Sequence, residues 1–265
     1  MASPTVTDAD VEQFRAHGFV VLRDAFDPAA LGAEIDGALA RGFAHVGPTN
    51  VSDEAGISFR YLPMMGERTP VSLDLLRRFG AMAEQLLRGP VLPVRAKAVE
   101  YHGGSGWHRD SDLDVASVGF ACYLEPLTGA TGALRVVPGS HRDGRPPSES
   151  PADEHAVETV PGDVIVFDEH LLHASSGGGV RRQWRVDHLA RPATPAEDAV
   201  VRSYFAAIFS PDWDGGYDVD AYPSYGPHWR RVCDPDADAL LDRLGAYAAA
   251  AAEEAASRHR RPSPS

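Results

Sequence analysis

The chain has 265 residues, of which 43% are hydrophobic, and this is enough to bury the core of one large domain. Asp and Glu number 38 against 25 Lys and Arg, and a net charge of −13 would repel the phosphates of a nucleic acid. Two cysteines without a CxxC pair indicate neither a disulfide framework nor a cysteine zinc site. No signal peptide is apparent, and no apolar run approaches the roughly 18 residues of a membrane span. We therefore expect a cytoplasmic protein that binds neither nucleic acid nor membrane.

The first third of the chain is predicted to be mainly helical. Apolar residues recur there at helical spacing, and capping residues and glycines delimit the segments. We assign these apolar stripes to core packing. The predicted elements are a helix from Thr7 to Gly18, a strand at 19–22, a helix at 27–42, a loop at 43–56, a strand at 57–62 and a helix at 69–89.

From residue 94 the pattern changes to short strands rich in Val, Phe, Tyr and Leu, which is typical of a sandwich or barrel. The fold class is therefore mainly β with flanking α-helices. We expect one domain at 1–256, with helical decoration at 8–90, a β core at about 91–191, C-terminal helices and an aromatic loop at 194–256, and a flexible tail at 257–265. The predicted strands are 94–101, 116–124, 133–137, 156–160, 164–167 and 182–190; the loop at 143–154 interrupts them, the aromatic loop spans 213–229, and the last helix runs from 236 to 256.

One histidine and one aspartate lie two residues apart, at His108 and Asp110, after the glycine-rich turn at 103–106. A second imidazole would complete a set of two histidines and one carboxylate, which is typical of non-haem Fe(II) sites that activate O2. The segment after a predicted strand offers His170 and His173, and the leucines beside His173 favour that residue. HxD alone is a weak motif, and the same three donors could bind zinc in a hydrolase.

Three arginines lie near the last predicted strand of the core. Arg185 lies within the strand and could bind a carboxylate through two parallel hydrogen bonds. Alternation along a strand places Arg185 on the same face as Asp187. Arg181 and Arg182 are interpreted as an exposed basic turn, with Arg182 kept as the alternative to Arg185.

Four segments together resemble the phytanoyl-CoA dioxygenase family. Thr131 to Arg142 (TGALRVVPGSHR) resembles the family's NGxLxxxPGSH signature, with Thr131 in place of the usual Asn. The WHRD run at 107–110 matches its proximal HxD, the GD and LHAS runs at 162–163 and 172–175 resemble its distal histidine segment, and HGFVVLRDAF at 17–26 resembles its first strand. The glycine loop at 177–179 is shorter or differently built than in many relatives.

The resemblance implies a double-stranded β-helix, that is, a cupin-like jelly roll, with Fe(II) as cofactor and 2-oxoglutarate and O2 as cosubstrates. It assigns iron to His108, Asp110 and His173, and 2-oxoglutarate to Arg185 with Ser175 in support. Family halogenases lack the carboxylate, so Asp110 indicates hydroxylation, desaturation, epimerisation or ring closure.

The expected partner is a small molecule, and composition together with the family favours antibiotic or other secondary-metabolite biosynthesis. A zinc hydrolase and a non-catalytic jelly-roll binding module stay open as alternatives. The oligomeric state is predicted to be a monomer or a homodimer.

Overall fold

The computed structural model describes residues 5–44, 51–52, 58–144, 146, 151–175, 177, 179–209 and 216–259. Most of the loop predicted at 43–56, part of the loop at 143–154 and Trp213 lie outside these residues.

Two antiparallel sheets form the core, and the predicted mainly β jelly roll is confirmed. The long strand β12 (Val180–Ala190) lies at the centre of the large sheet, between β7 (Ser117–Tyr123) and β5 (Lys97–His102). In order across that sheet, the strands are β1 (Phe19–Leu22), β10 (Val164–Asp168), β7 (Ser117–Tyr123), β12 (Val180–Ala190), β5 (Lys97–His102), β3 (Ser58–Pro63) and β2 (Val51–Ser52), with β4 (Val91–Pro93) paired to β12. The small sheet contains β6 (Ser105–His108), β11 (His173–Ser175), β8 (Leu134–Val136) and β9 (His155–Val157), in that order.

Helices cover the outer face of the large sheet and one end of the core. The outer face of β12 packs against α3 (Pro70–Leu87), where Phe79 lies edge-on to Trp184 with ring centroids 5.7 Å apart. The Trp184 indole N–H donates to Ser72 Oγ at 2.6 Å, so this buried ring keeps a polar partner. The helices are α1 (Asp8–His17), α2 (Pro28–Gly42), α3 (Pro70–Leu87), α4 (Ser140–Asp143), α5 (Pro195–Ile208), α6 (Pro227–Val232), α7 (Pro235–Arg243) and α8 (Ala246–His259).

The C-terminal part differs from the sequence prediction in three places. The helix expected at 236–256 is two helices, because Gly245 adopts a φ of 83° that ends the first one. The loop predicted at 213–229 includes the start of α6. The tail expected from residue 257 is wrong at its beginning, since α8 continues to His259 and Ser257 is buried.

Short strands were also missed by sequence patterning. β4, β6 and β11 have three or four residues each, too few for a period of two to stand out. β6 and β11 nevertheless pair with each other, and this pair carries His108 and His173. Among the described residues, no helix combines the length and the apolar character needed to cross a membrane.

Candidate metal centre and cosubstrate pocket

Pairing between two short strands brings the predicted histidines together. His108 and His173 are direct partners in the β6–β11 ladder, and their ring centroids lie 4.3 Å apart. Asp110 follows β6 by two residues, and its Oδ2 lies 3.3 Å from His173 Nε2. One donor atom from each of His108, Asp110 and His173 lies within 4.8 Å of the other two. The three predicted ligands therefore form one cluster.

Backbone carbonyl groups orient both imidazoles. His108 Nδ1 lies 2.7 Å from the Gly106 carbonyl oxygen, and His173 Nδ1 lies 2.9 Å from that of Leu171. A carbonyl can only accept, so each Nδ1 carries a proton, and each Nε2 faces Asp110 within the cluster. Histidine ligands in metal sites are held in this way by their second ring nitrogen. Two imidazoles and one carboxylate, directed at a common point, fit a divalent iron ion.

His170, the alternative distal ligand, is occupied elsewhere. Its Nδ1 lies 2.9 Å from Asp168 Oδ1, and its Nε2 lies 2.8 Å from the Leu113 carbonyl oxygen. Both ring nitrogens are therefore used in holding the loop after β10. Of the two histidines, His173 is the one that lies in the cluster with His108 and Asp110.

Arg185 is the main group that holds Asp110 as a carboxylate. Burial alone would raise the pKa of Asp110, but the Arg185 guanidinium and His173 hold this pKa well below its ordinary value. Arg185 Nη2 donates to Asp110 Oδ2 at 2.8 Å. Asp110 is therefore ionised at neutral pH, the form in which a carboxylate binds a metal.

Two further buried acids surround Arg185, and sequence patterning did not identify Glu169 as part of the site. Arg185 Nε donates to Asp187 Oδ1 at 2.9 Å, and Nη2 lies 3.5 Å from Glu169 Oε1. Burial, reinforced by the charge of Asp187, raises the pKa of Glu169 well above its ordinary value. The Tyr204 hydroxyl donates to Glu169 Oε2 at 3.0 Å. The charge of Arg185 is therefore compensated by carboxylates within the protein.

Arg181 has the opposite surroundings, and its interpretation as an exposed residue was wrong. It is 2% exposed and lines the same cavity as the three candidate ligands. Its guanidinium donates to the carbonyl oxygens of Gly103 and Gly177 and to Ser175 Oγ, the last at 3.3 Å. Among the described residues it makes no ion pair with a carboxylate. A buried cation of this kind is stabilised by an anionic ligand.

Arg182, the predicted alternative anchor, points away from the cavity. It pairs with Glu125 at 2.8 Å and with Asp36 of α2 at 2.5 Å. Its side chain is 32% exposed. The prediction that Arg182 binds the cosubstrate is therefore not supported by its position, since alternation along β12 places it on the outer face.

Two glycines allow close packing beside Arg181: Gly132 against its guanidinium, and Gly177 against the backbone of Gly132. Gly132 has a φ of 105°, and a Cβ at this position would overlap the Arg181 guanidinium. Gly177 has a φ of 118°, and its Cβ would lie 2.7 Å from the Gly132 amide nitrogen. Backbone conformations of this kind strongly favour glycine. The signature segment around Gly132 thus forms one wall of the pocket beside Arg181.

The cavity itself has a volume of about 710 Å³ and lies between the two sheets. Its walls combine the metal cluster with aromatic side chains from β3 and β5 and residues of α5. This volume is sufficient for a dicarboxylate together with a small organic substrate. The aromatic and helical walls are formed by Phe59, Tyr61, Tyr101, Trp107, Tyr204, Ala207 and Ile208.

Comparison with known proteins agrees with this geometry. The family model described as phytanoyl-CoA dioxygenase matches residues 14–183. A search of curated proteins gave no significant match.

Many solved structures are similar to this chain. One is AviO1 from Streptomyces viridochromogenes Tue57, with 25% identity and a TM-score of 0.55 over 74% of this chain and 99% of AviO1. EctD from S. alaskensis with bound Fe has 23% identity and a TM-score of 0.55, over 71% of this chain and 78% of EctD. The epimerase SnoN, in complex with Fe3+, alpha ketoglutarate and nogalamycin RO, has 16% identity and a TM-score of 0.56, over 69% and 83% of the two chains. The family match and the donor set together confirm the predicted use of iron and 2-oxoglutarate.

Proposed function

The chain belongs to the phytanoyl-CoA dioxygenase family, and from this premise we propose that it is an Fe(II)/2-oxoglutarate-dependent dioxygenase. It oxidises an unactivated C–H bond of a small molecule, by hydroxylation, desaturation, epimerisation or ring closure. The observation that carries the proposal is the cluster of His108, Asp110 and His173, in which both imidazoles present Nε2 to a common point.

We propose that His108, Asp110 and His173 bind iron on one face and leave the opposite face open for the cosubstrates. Bound iron would supply O2 activation, in which 2-oxoglutarate and O2 yield succinate, CO2 and one oxygen atom for the substrate. The protein holds Asp110 ionised through Arg185, fixes the imidazole tautomers and keeps the cluster between two sheets. This division of work is typical of cofactor enzymes.

For the cosubstrate we propose Arg181 with Ser175 as the anchor of the remote carboxylate. Arg185 was the residue expected from the sequence, but its charge is already compensated by Asp110 and Asp187. Arg181 lacks a carboxylate partner within the described residues, and Ser175 Oγ lies beside it. An incoming carboxylate can therefore accept bonds from both side chains. Arg185 is assigned a positioning role on Asp110.

The test is an anaerobic titration with Fe(II) and 2-oxoglutarate. The wild-type protein should develop a weak visible charge-transfer band, and His173→Ala should lose it. His170→Ala is the matched control and should keep the band, because His170 already uses both ring nitrogens. Tight zinc binding with no band in the wild type would instead favour the metallohydrolase, and failure to bind either metal would favour a non-catalytic jelly roll.

The physiological role is a separate proposal. We propose a role in secondary-metabolite biosynthesis, such as that of an antibiotic, and a cytoplasmic location. The similarity to the epimerase SnoN from nogalamycin biosynthesis supports the choice of pathway type. Succinate release in a screen of candidate substrates tests it, and a substrate from another branch of metabolism would contradict it.

A further inference from the structure

Lys97 is a cation in the cavity to which the proposed chemistry assigns no task. It begins β5, lies opposite Arg185 in the ladder with β12, and lines the cavity with a side chain that is 18% exposed. Burial lowers the pKa of its ammonium group, and the charge of Asp187 opposes this shift. A cation so placed carries a desolvation cost unless a partner offsets it.

The protein itself offers Lys97 little hydrogen bonding. Within the described part of the chain, its Nζ makes one ion pair, with Asp187 Oδ2 at 3.7 Å, a distance beyond that of a hydrogen bond. The other oxygen of Asp187 accepts from Arg185 Nε at 2.9 Å. An ammonium group has three N–H donors, so Lys97 keeps donors for a ligand in the cavity.

One wall of the cavity that Lys97 lines is aromatic. Phe59 and Tyr61 of β3 stack with ring centroids 6.2 Å apart, and Tyr101 of β5 lies 5.8 Å from Phe59. Ile208 of α5 also lines the cavity. Flat ring systems pack well on surfaces of this kind, whereas a flexible polar chain would leave them poorly covered.

Resting on the proposed function, we infer that Lys97 selects the substrate, and that the substrate is a ring compound carrying an anionic oxygen, such as a carboxylate. The ring lies against the aromatic wall formed by Phe59, Tyr61 and Tyr101. The anionic oxygen accepts a hydrogen bond from Lys97 Nζ. Because Lys97 is opposite Arg185, which bonds Asp110, this contact positions the substrate near the metal cluster.

The experiment compares two probes that differ in charge but share a ring system, 2-naphthoate and 2-naphthamide. Calorimetric titrations are made on the protein loaded anaerobically with Fe(II) and 2-oxoglutarate, so that Arg181 already has its carboxylate. The wild type should bind 2-naphthoate roughly tenfold or more tightly than 2-naphthamide. Lys97→Met should remove this preference, and Lys97→Arg should retain most of it.

Three results would overturn the inference. The wild type could bind the two probes equally, Lys97→Met could keep the preference, or Lys97→Met could weaken 2-oxoglutarate binding by about tenfold, which would place Lys97 in the cosubstrate site. The visible band of the loaded protein is recorded in the same samples. A missing band together with a Lys97-dependent preference for 2-naphthoate would contradict the proposed function and support the inference.

Discussion

The two faces of β12 show how one strand serves two purposes. The inward face carries Arg181, Gln183, Arg185 and Asp187, all of which line the cavity. The outward face carries Trp184, Val186 and His188, which are buried under the helices, and the partly exposed Arg182. Residues on both faces are largely buried, yet one face is charged and the other mainly apolar. Substitutions on the outward face should therefore change stability, and those on the inward face should change ligand binding.

The largest effect should come from Trp184→Ala on the outward face. It removes a fully buried indole and leaves Ser72 Oγ without its donor, so we expect a loss of about 4 kcal/mol in the free energy of unfolding. Urea denaturation measures this change. The folded fraction should bind 2-oxoglutarate as the wild type does, and a large loss of binding with unchanged stability would contradict the division between the faces.

His188, also on the outward face, should make stability depend on pH. Burial lowers its pKa from 6.5 to about 4, so the folded protein holds it neutral while the unfolded chain takes up a proton below pH 6.5. The contribution of neutral His188 to the free energy of unfolding is fully present above pH 6.5. It is lost as the pH falls towards 4, and the total loss is about 3 kcal/mol. His188→Leu should flatten this dependence, as measured by denaturation at several pH values. If stability changed with pH equally in the variant and the wild type, the role given to His188 would be contradicted.

The inward face is tested by Arg181→Met. Arg182→Met is the control, because it removes the same charge from the neighbouring residue on the outward face. Loss of the buried cation should raise the dissociation constant of 2-oxoglutarate about 100-fold, equivalent to about 2.7 kcal/mol. Titration of the visible band gives this constant, and calorimetry with Fe(II) alone shows whether the metal cluster is intact. If Arg182→Met were the more damaging of the two, the cosubstrate anchor would lie on the other face.

The smallest effect is expected from Arg182→Met itself. Its ion pairs with Asp36 and Glu125 are partly exposed, and such pairs stabilise a fold by about 1 kcal/mol or less. Raising the salt concentration should further reduce the difference in stability between the variant and the wild type. Thermal unfolding at low and high salt measures it, and a loss of several kcal/mol would show that this pairing is not a surface feature.

The sequence was most informative where covalent spacing constrains geometry. His108 and Asp110 are two residues apart, so any extended backbone there brings their side chains near each other, and the LHAS run pointed to His173. The jelly roll followed from short strands separated by turns, together with the family resemblance. These predictions needed only local pattern and order along the chain.

Contacts between residues far apart in the sequence were harder to predict. Alternation already places Arg181 on the same face as Arg185, but the strand was predicted to begin at 182, so Arg181 was interpreted as part of a turn. Which arginine has its charge compensated depends on Asp110, which comes from another segment. The division of the last helix had a signal in Gly245, but the alanine-rich run that follows it is typical of one continuous helix.

Gly132 has a consequence for how sequences of this type can diverge. It is separated from Arg181 by 49 positions, yet a methyl group at Gly132 and a guanidinium at 181 compete for the same space. The two positions should therefore vary together among homologues, with a larger residue at 132 tolerated only where position 181 is small. The residue found at the signature glycine in a homologue would then indicate whether its cosubstrate pocket has the same arginine. A homologue that has lost this glycine should bind the cosubstrate carboxylate through a residue at another position.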